Sequence, residues 1–136
     1  MSGITRIPII NLHASLIVPI QGSIPDSVMA QLQEDVTRRI ETDTASGLII
    51  DVSGVDLMDS FITRNIRDLA LTARLMGVNT VVSGLQPAVA ITLVEMGMEI
   101  PGIKTTLNLE RALEHLETLR EEEEAEEAGE DEDELA

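Results

Sequence analysis

Three short apolar runs, each followed by a stretch of helical periodicity, constrain this chain more than any other feature. Leu48-Ile49-Ile50 follows Gly47 and is too short for a helix, so it reads as a strand buried on both faces. Val78 to Ser83 and Ile103 to Thr106 have the same character. The stretch after the first run, roughly 60–76, places Ile62, Ile66, Leu69, Ala73 and Met76 on one face and stops at Gly77, where a left-handed residue is wanted. After the second run, Pro87 opens a helix lined by Val89, Ala90, Leu93 and Val94 and ended by Gly97. After the third, Asn108 caps a helix that turns Leu109, Ala112, Leu113, Leu116 and Leu119 inward. Strands that alternate with helices in this way demand a mainly parallel sheet with helical crossovers.

The start of the chain differs. Ile7 to Ile10 and Leu16 to Ile20 read as two strands joined by a hairpin connection, Asn11-Leu12-His13-Ala14. Pro8 and Pro19 each lack a backbone donor, which places these strands at or near a sheet edge. Val28, Leu32, Val36 and Ile40 then recur at i+4 spacing in a helix over roughly 26–43. The expected order is β-β-α-β-α-β-α-β-α: an α/β fold with a mixed, mainly parallel sheet of about five strands and four helices.

Charge divides the 136-residue chain in two. Its net charge is −16, yet residues 121–136 hold 11 acids and no base, and residues 1–120 carry a net of only −5. The expected organisation is one domain over 1–120 and an acidic, disordered tail over 121–136, because a like-charge block repels itself and cannot bury a core. Repeated Glu at a helix C-terminus also opposes the macrodipole.

Composition excludes several functions. A pI near 4.2 and a single aromatic residue offer neither a basic stripe for phosphates nor a stacking platform for bases, so nucleic acid is not the expected partner. An acidic surface is repelled by anionic lipid, and no apolar run approaches the length of a spanning helix or a signal peptide; a soluble cytoplasmic protein is the expectation. Without cysteine there are no disulfides or thiolate metal sites, and His13 and His115 show no ligand spacing, so no metal or cofactor is expected.

One stretch carries chemistry. Residues 51–64, DVSGVDLMDSFITR, leave a buried strand, pass through a loop over 51–59 and open a helix. Asp59 or Ser60 fits the N-cap. A serine there is open to solvent at the positive end of the dipole, where free backbone N–H groups favour a phosphate. Arg64, four residues on, shares its face. Phe61, the one aromatic side chain, falls on the polar row of Asn65, Asp68 and Thr72; it is either a partner contact or a cap folded over Met58 or the loop after Val82.

The run LIIDVSGVDLMDS at 48–60 resembles the signature of the STAS domain family, which sulfate transporters and anti-sigma factor antagonists share. The continuation Phe61-Ile62-Thr63-Arg64, where antagonists have Ser-Gly, and GLQPAVAITLVEMG at 84–97 are similar to the stressosome branch, the RsbS-type scaffolds. The resemblance spans about 1–120 and leaves the tail aside. It implies a non-enzymatic scaffold in a large homo- or hetero-oligomeric cytoplasmic complex with RsbR-like STAS paralogues. The complex would hold an RsbT-like serine kinase and release it once Ser60 is phosphorylated. A PP2C-type phosphatase would reverse the modification. Asp59, Phe61, Thr63, Arg64 and Arg67 would form the partner surface, with Thr63 and Thr92 as minor alternative acceptors. A free SpoIIAA-like antagonist is a second possibility. A receiver domain with Asp51 as acceptor and Lys104 in the last strand is a third.

Overall fold

The computed structural model describes residues 6–22, 24–56, 59–97 and 103–135, the last six of them as backbone only. The elements run β1 (Ile10–Leu12), β2 (Ser15–Gln21), α1 (Asp26–Asp43), β3 (Gly47–Gly54), α2 (Ser60–Leu75), β4 (Asn79–Ser83), α3 (Pro87–Glu95), β5 (Lys104–Thr106) and α4 (Leu109–Leu135). The five strands lie in the order β1-β2-β3-β4-β5, with β1 antiparallel to β2 and every other pair parallel. The expected topology is present. A receiver is excluded, because a doubly wound receiver sheet runs 2-1-3-4-5. Lys104 also sits opposite Val81, one side-chain row away from the row of Asp51 and Ser83.

Strand alternation divides the core. Leu16, Val18, Leu48, Ile50, Val52 and Val82 point to one face, where α1, α2 and α3 cover them. Ile17, Ile49 and Val81 point to the other, where α4 alone covers them with Ala112 and Leu116. Gly47 admits this helix: a Cβ there would lie 2.9 Å from Leu116 Cδ1 and 2.8 Å from Ser15 Oγ. Each fully buried branched side chain contributes roughly 1.5–3 kcal/mol by leaving water.

Several expectations are corrected. The first strand is Ile10–Leu12, not 7–10, and the turn narrows to His13-Ala14, with His13 left-handed at φ 57°. Residues 7–9 instead lie along α1, where Ile7 is buried and Arg39 Nη1 donates to the Ile9 carbonyl at 3.4 Å. Arg6 clamps this segment with a bidentate pair to Asp35, 2.8 and 3.0 Å, which holds the Asp35 carboxyl below the usual carboxylate range. Pro19 belongs to an inner strand. Its missing donor is tolerated because β1 pairs β2 only as far as Ile17, leaving Pro19 at an open margin. Strand β3 continues through Ser53 and Gly54, where a loop was expected, because Pro19, Gln21 and Ser83 extend the pairing. Val94 is 80% exposed; only Val89 and Leu93 of α3 are buried.

The acidic stretch differs most. α4 continues to Leu135, through the block whose charge predicts disorder. A helix anchored on the sheet supplies the costly nucleus, and Glu is a good helix former, so propagation proceeds against the repulsion. Asn79 Nδ2 donates to Glu123 Oε1 at 2.9 Å and ties the start of the block to the base of β4.

Candidate functional site

The C-terminal ends of β3, β4 and β5 open onto one edge of the sheet, and α2 starts there. Asp59 is the N-cap: its Oδ1 accepts from Ile62 N at 2.8 Å, so Ser60 is the first helical residue. Ser60 is exposed, and among the described residues nothing bonds its hydroxyl. Phe61 is 37% exposed, with its carbonyl taken by Asn65 Nδ2 at 2.8 Å. Met58, one of its expected covers, lies outside the described residues. Arg64 is exposed and has no ion pair among them; Arg67 reaches only its neighbour Asp68, at 3.7 Å.

Thr63 departs from expectation. It is 2% exposed, and its Oγ1 donates to the Asp59 carbonyl at 2.8 Å. Burial removes it from the contact surface and from reach as an acceptor. Thr92 sits on α3, with its hydroxyl given to the Ala88 carbonyl at 2.9 Å. The structure therefore gathers Asp59, Ser60, Phe61, Arg64 and Arg67 on the outer side of one helix start and turns Thr63 inward.

At the same edge of the sheet lies a polar cluster that periodicity did not reveal. Asp51 accepts from Ser53 N and Oγ, 3.2 and 3.1 Å, and from Ser83 Oγ at 3.4 Å. Gln86 Nε2 donates to the Ser53 carbonyl at 2.9 Å and to Asp56 Oδ1 at 3.3 Å, fastening the α3 entry to the loop before α2. Gly84, at φ +79°, allows that approach, since a Cβ would meet Ser53 Cβ at 2.8 Å. The sequence signal for it was Gly84 directly after a strand.

Among the described residues no three His, Cys, Asp or Glu side chains converge as a metal would need. A groove of about 760 Å3 lies between the β1–β2 turn and α4, and none of residues 59–64 lines it. Among the described residues, no helix is long and apolar enough to cross a membrane.

Comparison with known proteins agrees. The STAS domain family profile matches residues 6–112. An RsbS protein of Moorella thermoacetica, solved as a glutamate-for-serine variant, superposes with a TM-score of 0.74 at 35% identity, covering 85% of this chain and 97% of that one. A chain of a stressosome structure gives the same TM-score at 36% identity, with 83% and 98% covered. The RsbT co-antagonist protein RsbRD of Bacillus subtilis is 30% identical over 97 residues, 71% of this chain but 35% of its own length. The co-antagonist RsbRC of the same organism is 31% identical over 106 residues, 77% and 37%. The chain thus spans about a third of the length of these curated relatives. It belongs to the STAS domain family, and its relatives there are RsbS and RsbR proteins of the stressosome.

Proposed function

We infer that this chain is a non-enzymatic scaffold subunit of a stressosome-type complex, and that Ser60 is its phosphorylation switch. One observation carries this: Ser60 is an exposed hydroxyl, unbonded among the described residues, in the first turn of α2, beside a separate cap residue, Asp59. A phosphate there meets free backbone N–H groups and Arg64, so the helix tolerates it. Its charge of about −1.5 to −2, next to Asp59, instead transforms the surface that a partner sees. The solved glutamate-for-serine relative supports this direction, since that substitution imitates the charge of a phosphoserine.

In this scheme the chain assembles with RsbR-like paralogues in the cytoplasm. It holds an RsbT-like serine kinase through Asp59, Phe61, Arg64 and Arg67 while Ser60 is unmodified, and releases it once Ser60 carries phosphate. A PP2C-type phosphatase resets the site. Phosphopeptide mapping after incubation with the cognate kinase tests the scheme. Label confined to Ser60 is expected; a Ser60→Ala chain that is still fully labelled overturns it.

A further inference from the structure

Helices α2 and α4 carry opposite net charge and lie on opposite faces of the sheet. α2 carries Arg64, Arg67 and Arg74 against the single acid Asp68, in a chain whose net charge is −16. At 100° per residue Ser60, Arg64, Arg67 and Leu71 fall along one outward strip. Arg64 has no partner among the described residues, and Arg67 only a loose one on its own turn. In α4, residues 121–127 hold six acids and no base, and all are exposed. Glu123 is held by Asn79 and Glu124 lies in the field of Arg120, while Glu126 and Glu127 have no hydrogen bond or ion pair among the described residues.

These two faces cannot meet within one molecule. α2 begins at the edge where the parallel strands end, and Arg64 and Arg67 lie in its first half. α4 starts at that same edge, passes the first residue of β4 at Glu123 and continues beyond the sheet. The twelve residues after Glu123 extend the rod by about 18 Å, away from Arg64. The helical spacings nevertheless match: Glu124 and Glu127 are separated by i+3, as are Arg64 and Arg67.

We propose that the acidic part of α4 docks on the Arg64–Arg67 strip of α2 in a second copy of this chain. The contact is heterologous, tail of one molecule to helix face of the next, so it propagates into a ring or an open array. Each exposed ion pair is weak, so the contact responds to salt and gains strength where copies are held close together. It shares Arg64 and Arg67 with the proposed kinase surface and so competes with kinase for them, but its test uses unmodified chain with no kinase present, so the two readings fail separately.

The absence of cysteine makes the test direct. One full-length sample carries Asp68→Cys, on the outward side of α2, and a second carries Ala128→Cys, exposed on α4. Mixed and oxidised at low ionic strength, they are expected to cross-link between the two samples, and high salt should abolish the product. Ser27→Cys on exposed α1 is the control acceptor. Arg64→Glu with Arg67→Glu should reduce cross-linking about tenfold, and Glu124→Arg with Glu127→Arg in the other sample should restore it. Circular dichroism verifies that each variant is folded. Cross-linking no faster than to the control, or indifferent to both charge reversals, overturns the proposal.

Discussion

Thr63 is bound twice to the residue four positions before it: its backbone N and its Oγ1 both donate to the Asp59 carbonyl, at 3.1 and 2.8 Å. The hydroxyl is thus spent inside the helix, while Ser60, three residues earlier, keeps its own for solvent. Thr63→Ser should be close to neutral. Thr63→Val should cost about 1 kcal/mol in urea denaturation, the worth of one hydrogen bond, and leave the number of phosphates accepted from the kinase unchanged.

Asp59 closes the first turn of α2 through Ile62 N. Asp59→Ala should lower unfolding free energy by about 1 kcal/mol, whereas Asp59→Asn, which keeps an acceptor, should lose much less. Denaturant midpoints for the three chains provide the comparison.

Ser60→Glu should leave stability within about 0.5 kcal/mol of the parent, because the substituted group is exposed at the positive end of a helix. Kinase retention in a pull-down should nevertheless fall sharply. Phe61→Ala should show the same split, with binding weakened more than melting temperature.

One helix seals the second face of the sheet, and Leu116 lies over Gly47. Leu116→Ala should therefore destabilise by about 2–5 kcal/mol. Its effect on Ser60 labelling should be no greater than its effect on the folded fraction, since the two sites are on different faces and different ends. Parallel melting and labelling assays separate these quantities.

The Arg6 clamp has a pH signature. The Asp35 carboxyl is depressed first by its hydrogen bond to Arg6. A depressed carboxylate adds stability that is complete above its unfolded pKa and is lost as pH falls through the folded value. Arg6→Gln should thus be less stable than the parent at neutral pH, and the gap should close on acidification below the ordinary carboxylate range. Urea midpoints across a pH series measure it; a gap that widens in acid contradicts the assignment.

Much of this was legible in the residues themselves. Asp26, Pro87 and Asn108 mark helix starts, and Gly77 and Gly97 mark ends, through local backbone chemistry that needs no partner. The candidate serine was legible for the same reason, since a cap and its neighbours are contiguous. What escaped was long-range. Arg6 and Asp35 are 29 residues apart, and no periodicity foretells their pairing. Ser53 and Gly54 look like loop residues until Gln21 pairs beside them. Thr63, by contrast, lies three residues before Ile66 and seven before Ala70, both fully buried, so its inward direction follows from the core row itself, and only its polar side chain suggested the surface.

The course of α4 also has an electrical consequence. Because the helix leaves the sheet at the edge opposite Ser60, its acids do not blanket the molecule uniformly. They form one strongly negative pole, while the other end mixes Arg64 and Arg67 with Asp51, Asp56 and Asp59. A diffusing body with such a field is turned before it collides. Cationic neighbours are drawn toward the rod, and raising the ionic strength should blunt that orientation before it disturbs the fold.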